Sequence, residues 1–231
     1  MERDSSVLFK PTMSKGDLAK AKLLEAALKV FAEKNLEGAS VREIADAAGQ
    51  NVASIFYYFE SKENLYLELL RGAVAELRKG SYHIIAEIQE TKAKNYTPEQ
   101  AIQLIKHLLR TALVDKMANE KLHAIRRLIS REQMQPTPAF KIIYDEGLRE
   151  MHESLALLVG AALGVDPKAP ETIIRTYTFF GQVLIFAVAT ATILRRPSWD
   201  HIDNKGAEMI SEIIDENLDI LFNGLRAKRT K

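Results

Sequence analysis

Between Ser40 and Ser61 the chain signals the start of a helix three times, and this punctuation constrains its fold more than any other feature. Ser40 and Glu43 form an S-x-x-E capping box, in which the Ser oxygen and the Glu carboxylate satisfy amides at a helix start. A helix is therefore predicted to begin at Val41. Its apolar set, Val41, Ile44, Ala45 and Ala48, falls at i, i+3, i+4 and i+7, and Gly49 ends it after two turns. Asn51 is suited to cap a second short helix with Ile55, Phe56 and Phe59 on its buried face. Ser61 caps a third, carrying Tyr66, Leu69, Leu70, Ala73 and Leu77. Upstream, Ala21, Leu24, Leu28 and Phe31 line one face of a helix expected from near Asp17 to just before Gly38.

Two short helices joined by a three-residue turn containing Gly49, behind a longer first helix, have the layout of a helix-turn-helix. An ordinary helical hairpin shares that layout, so the outward face of the helix after Asn51 matters. Val52, Ala53, Ser54, Tyr57 and Tyr58 are small or tipped with hydroxyls and include no charge, which allows close approach to base edges. Arg42 and Lys62 flank them where phosphates would lie. Charge does not decide the matter: residues 1–62 carry nine acidic and nine basic side chains, and the whole chain is only +1. Any site for a polyanion must be local.

The remainder reads as helices without strands, so the fold class is all-α, with an N-terminal three-helix unit and a larger helical bundle behind it. Helices are predicted over roughly 61–92, 98–117, 119–134, 138–164, 170–195 and 204–226, with breaks at Asn95 to Pro98, Pro136 to Pro138, Gly164 to Pro170 and Pro197. The 19 residues Thr176 to Leu194 contain no charge. A helix apolar nearly all round lies in lipid or in a large interior or interface. A homodimer supplies such an interface, with Phe180, Leu184, Val188, Ile213 and Leu221 as its candidate residues. The rival reading is an all-α binding protein, membrane-associated through 176–194, whose helix-turn-helix serves protein contacts.

Other chemistry is thin. Without cysteine there is no disulfide framework, no Cys-ligated metal and no thiol nucleophile, and a reducing cytoplasm is the expected compartment. Met1 to Met13 lack the apolar core of a secretory signal and read as a flexible arm. His152-Glu153 begins like the zinc motif H-E-x-x-H, but residue 156 is Ala. There is no G-x-S-x-G, no Gly-rich phosphate loop and no Ser–His–Asp grouping, so neither an enzyme nor a bound metal or cofactor is expected. Gly160 and Gly164 suggest close helix packing. Arg126, Arg127, Arg131 and Glu132 read as a solvated helix face, with the Arg131 to Pro136 block shaping the bend that follows.

From Ala19 to Leu67 the sequence resembles the DNA-binding domain of TetR-family transcriptional regulators. The resemblance rests on Leu24-Glu25-Ala26-Ala27, Phe31, Gly38, Ile44-Ala45, Ala48-Gly49, and above all Ile55-Phe56-Tyr57-Tyr58-Phe59-Glu60-Ser61-Lys62-Glu63-Asn64-Leu65. Ile129 to Phe140, Phe180 to Leu184 and Gly49 to Ala53 are similar to the CecR-like branch. The resemblance implies a DNA-binding domain over 14–62 and an effector-binding and dimerisation domain over 63–231. It implies base reading by Arg42, Val52, Ala53 and Ser54 near Gln50 and Asn51, and phosphate anchoring by Tyr57, Tyr58 and Lys62. The implied partners are double-stranded operator DNA, a second copy of the chain and a small-molecule effector, with no membrane. His107, Phe140, Tyr144 and Tyr177 are the candidates to line the effector pocket. Two residues depart from the family pattern: Phe56 lacks the hydroxyl many members carry and is expected to wedge into the core, and Gln50 is expected to be partly exposed or bonded to the turn backbone.

Overall fold

The computed structural model of the protein describes residues 14–111, 122–195 and 200–229. The expected N-terminal arm to Met13, the helical stretches expected over 112–117 and 119–121, and Pro197 lie outside them. Among the described residues all regular structure is helical. The contacts divide the chain into two compact units, Met1–Leu77 with Lys121–Glu146, and Arg78–Glu120 with Gly147–Lys231.

The first unit holds α1 (Lys15–Gly38), α2 (Val41–Ala48), α3 (Val52–Phe59), α4 (Lys62–Arg78, up to Leu77), α7 (His123–Met134) and the short α8 (Phe140–Ile143). Its core is built where the apolar periodicity requires: Ala21, Leu24, Leu28 and Phe31 of α1 are buried, as are Ile44, Ile55, Phe59, Leu65 and Leu69. The Phe31 and Tyr66 rings meet edge to face at 5.0 Å. Asn35 (φ 64°, ψ −179°) breaks the helical path of α1 and accepts from the Gly38 amide at 2.8 Å. Carbonyls in the turn before such a break lose intrahelical partners. Arg131 of α7 serves two of them, donating to Phe31 O at 2.7 Å and Ala32 O at 2.9 Å.

Glu132 corrects the expectation of a solvated helix face: it is 3% exposed. Its carboxylate accepts from the Tyr66 hydroxyl at 2.6 Å and, across the Pro136 bend, from the Thr137 amide at 3.1 Å and hydroxyl at 2.9 Å. The bend-shaping part of the expectation holds, and it holds because the residue is buried. Burial, reinforced by the Glu132 carboxylate, raises the pKa of Tyr66 above the ordinary tyrosine value.

The second unit holds α5 (Tyr82–Thr91), α6 (Pro98–Leu109), α9 (Arg149–Leu163), α10 (Pro170–Val188), α11 (Thr190–Arg195) and α12 (Asn204–Arg229). Ile88, Ile105, Leu158, Val183, Leu218 and Phe222 form the fully buried centre of its core. Helix α9 packs on α5, α6 and α10, and α12 packs on α6. Three helices expected to be continuous are interrupted. The 61–92 stretch breaks at Gly80 (φ 89°), the 138–164 stretch passes through a π-helical turn at Tyr144–Leu148, and the 170–195 stretch breaks at Ala189. Gly160 is a close-packing position, since a Cβ there would lie 2.9 Å from Val165 O. Gly164 instead ends α9 in the left-handed region.

No helix among the described residues is long and apolar enough to cross a membrane. Within 176–194, Phe179, Phe180 and Val183 fill the core of their own unit. The absence of charge thus has one explanation on the inner face of α10. Its outer face remains to be accounted for.

Candidate nucleic-acid interface

Local chemistry fixes the α2–α3 corner. The Glu43 amide donates to Ser40 Oγ and the Ser40 amide to the Glu43 carboxylate, each at 3.2 Å. Lys34 of α1 holds the same carboxylate, which lies below its usual pKa because of that bond and the Ser40 amide. Gly49 takes φ 62° after α2, a conformation that costs glycine nothing. The Gln50 main-chain N–H then donates to Ala45 O at 2.9 Å, and Gln50 is half-buried, which meets the expectation of a partly exposed residue. Asn51 Oδ1 caps α3, accepting from the Ser54 amide at 2.8 Å and the Ser54 hydroxyl at 3.0 Å.

With α3 so anchored, Ile55 and Phe59 point into the core while Ala53 and Tyr57 are exposed and Val52, Ser54 and Tyr58 are half-buried. Tyr57 is 80% exposed and stands edge-on to Tyr58 at 4.9 Å. The expected core wedge at Phe56 is corrected, because that ring is 49% exposed. Only Ile55 and Phe59, four residues apart, are buried on this two-turn helix, and residue 56 falls on the flank of the face they define. Arg42 is exposed. Lys62 donates to Ala39 O at 3.0 Å, which holds its ammonium at the junction of α1 and α2 with further N–H donors to offer.

Two features of this face escape sequence reading. The Tyr58 hydroxyl lies beside the first turn of α1, within 3.5 Å of where a Gly16 Cβ would stand. That turn presents amide N–H groups, capped by Ser14, and the exposed Lys15. Glu60, between α3 and α4, takes φ 66° and ψ −37°, with the Ser61 amide donating to Phe59 O at 2.7 Å. This is a γ-turn of the strained hand, and nothing in the residue type announces it.

The remaining candidates sit elsewhere. His107 is exposed on α6, and Tyr177 of α10 is 47% exposed. Phe140 and Tyr144 lie in the first unit with ring centroids 6.4 Å apart. Phe180, expected on an intersubunit surface, is 6% exposed and belongs to the core of its own unit, with Leu184 packed against that core. Val188, Ile213 and Leu221 are exposed, as are Ile174 and Ile185 of α10 and Met209 and Ile220 of α12. Among the described residues no group of His, Asp or Glu is arranged to hold a metal ion.

A capped pair of two-turn helices, presenting an uncharged, hydroxyl-tipped outer face between Arg42 and Lys62, defines a helix-turn-helix DNA-binding protein. Residues 23–69 match the model for bacterial regulatory proteins of the tetR family, and residues 98–225 match the C-terminal domain of the HTH-type transcriptional dual regulator CecR. The chain belongs to the TetR family of transcriptional regulators, in the CecR-like branch, and is a DNA-binding transcriptional regulator. It is 33% identical to CecR of Shigella flexneri over 218 residues, 93% of this chain and 96% of that protein. Its fold is similar to that of the ketosteroid transcriptional regulator KstR2 of Mycobacterium tuberculosis, at a TM-score of 0.57 and 20% identity over 94% of this chain and 97% of that one. It is also similar to the transcriptional regulator FadR from Bacillus subtilis, solved with stearoyl-CoA, at a TM-score of 0.56 and 16% identity over 85% of this chain and 96% of that one.

Proposed function

We propose that the chain acts as a homodimeric repressor that binds a palindromic operator and leaves it when a small molecule occupies the 63–231 region. The observation that carries the DNA half of this reading is the outer face of α3, where side chains with no charge and short reach stand clear of the core. In the proposed division of labour, residues 14–62 hold the DNA. Arg42, Val52, Ala53 and Ser54 read base edges, Gln50 and Asn51 shape the turn that presents them, and Tyr57, Tyr58 and Lys62 anchor phosphates. The turn of α1 beside Tyr58 supports the phosphate role, since amides at a helix start attract anions.

The dimer reading is supported by an exposed apolar stripe on two helices of the second unit. Ile174, Ile185 and Val188 line α10, and Met209, Ile213, Ile220 and Leu221 line α12. Contiguous apolar surface of this kind marks an association site. For the effector we propose the second unit, at Tyr177 and His107. Phe140 and Tyr144 fall in the first unit. That relatives include a regulator solved with an acyl-CoA supports a small-molecule effector as a class.

Selection of bound DNA from a random pool, followed by gel retardation, tests the reading. The expected product is an inverted repeat with half-sites about 34–36 Å apart or a multiple of it, one dimer per site by sedimentation. Recovery of unrelated sequences, or of single half-sites bound by a monomer, would overturn it.

A further inference from the structure

In the second unit one polar atom stands apart. His152 of α9 has a buried Nε2 with no hydrogen-bond partner, the sole such buried side-chain atom among the described residues. Its neighbours show that the unit can satisfy buried polar groups. Ser154, two residues on, accepts from Gln89 Nε2 at 3.0 Å, and Thr176 on the facing helix donates to Thr172 O at 2.9 Å. The imidazole is walled by aromatic rings, edge-on to Tyr177 at 5.0 Å and to Phe180 at 5.1 Å. A phenylalanine would suit those walls and would leave no ring nitrogen unpaired. Retaining an unpaired ring nitrogen there costs stability that packing does not return.

We propose that His152 Nε2 is the polar anchor of the effector site, and that the site takes an uncharged, planar, largely apolar molecule bearing a hydrogen-bond acceptor such as a carbonyl oxygen. The proposal rests on the effector reading above. Three features set the ligand class. The rings of Tyr177 and Phe180 offer apolar edges and faces to a flat molecule. Burial lowers the imidazole pKa, so the ring is neutral at pH 7 and carries one N–H and one bare nitrogen. Nδ1 lies 3.4 Å from the Tyr177 hydroxyl. A phenol is the better donor of that pair, so Nδ1 accepts and the proton resides on Nε2. Nε2 then donates, and the complementary ligand atom is an acceptor.

The test uses the full chain and three probes of one size, 2-acetylnaphthalene with an acceptor carbonyl, 2-naphthol with a donor hydroxyl, and naphthalene with neither, each titrated by calorimetry. Wild type is expected to bind 2-acetylnaphthalene about tenfold more tightly than naphthalene. His152→Phe, which keeps the ring and drops both nitrogens, is expected to bind the two alike. Its thermal midpoint, expected at or above that of wild type, establishes that it folds. His152→Asn, which restores an N–H donor, is expected to recover part of the preference. Tightest binding by 2-naphthol in wild type overturns the donor assignment. Equal preference in wild type and His152→Phe, or no binding of any probe, overturns the anchor. Gel retardation of operator with 2-acetylnaphthalene separates this proposal from the reading beneath it. Equal release from wild type and His152→Phe leaves the effector reading standing and removes His152 from it. Binding that depends on His152 without release of operator leaves the site standing and removes the effector reading.

Discussion

Glu132 of the first unit and His152 of the second hold buried polar atoms with opposite fates. In the first, Glu132 is a buried carboxylate with each oxygen engaged, by the Tyr66 hydroxyl on one side and by Thr137 on the other, and Arg131 closes two carbonyls left by the break in α1. In the second, His152 keeps an unpaired ring nitrogen inside an aromatic wall, and two helices carry exposed apolar stripes. A satisfied polar network rigidifies and selects one arrangement. An unsatisfied atom beside uncovered apolar surface does the reverse, giving up stability to meet something else. The contrast suits the proposed division between a unit that presents α3 to DNA and a second unit that recognises a small molecule and a second copy of the chain.

The largest effect should distinguish the two faces of α10 and α12. Phe180→Asp places an unpaired charge in the core of the second unit and should cost about 3–5 kcal/mol, a large share of a domain's total stability, read as a fall in the urea midpoint. Ile213→Asp, on the exposed stripe, should leave the helical content intact by circular dichroism and shift sedimentation to the monomer. A folded, dimeric Ile213→Asp protein would remove α12 from the dimer surface.

Next comes the contrast itself. Glu132→Ala strands the Tyr66 hydroxyl and the Thr137 donors and should lower stability by roughly 3 kcal/mol in urea titration. His152→Phe should cost nothing or stabilise slightly, because it deletes an unpaired atom. Equal losses would break the comparison. The Tyr66 hydroxyl gives the same contrast a pH signature. Its pKa is raised by burial first and by the Glu132 bond second, so the stability it contributes is fully present below the ordinary value of 10.0 and is lost as pH rises beyond it. Tyr66→Phe should flatten that alkaline slope.

The same contrast governs how much of the molecule its sequence reveals. Ser40 with Glu43, Gly49 and Asn51 act on amides three or four positions away, so the α2–α3 corner is legible residue by residue. Glu132 reads as a solvated residue because its decisive partner, Tyr66, is 66 residues distant, beyond the reach of any helical period. Phe56 reads as core because a helix of eight residues has too few turns to separate flank from core by spacing. The breaks at Gly80 and Ala189 and the π-helical turn at Tyr144–Leu148 interrupt runs whose apolar rhythm continues across them. His152 stood out only as half of a zinc motif, and what distinguishes it, an atom left unpaired by packing, has no signature in a string of residues.

Within the first unit, Lys62 and Arg42 should separate anchoring from reading. Lys62→Ala should weaken operator and random DNA alike and reduce the salt slope by about one unit, since a phosphate contact carries no sequence information. Arg42→Ala should cost about 1–3 kcal/mol at one base pair and relax preference there. Equal loss for Arg42→Ala on every sequence would rule out base reading by that residue.

The smallest expected effect concerns the strained link between α3 and α4. Glu60 holds φ 66° and ψ −37° in a γ-turn closed by the Ser61 amide on Phe59 O, a conformation that a side chain with a Cβ adopts only under constraint. Glu60→Gly removes the clash and should raise stability by about 1 kcal/mol in urea titration, the relief of strain exceeding the flexibility glycine adds to the unfolded chain. It also removes an anion two residues from Lys62, so affinity for random DNA should rise a few-fold at low salt and return toward wild type as salt screens the site. Glu60→Ala separates the two effects. It loses the charge and keeps the strained φ, and should gain DNA affinity without gaining stability. If Glu60→Ala stabilises as much as Glu60→Gly, the turn carries no strain, and the rigidity ascribed to the first unit must come from its caps and the Glu132 network alone.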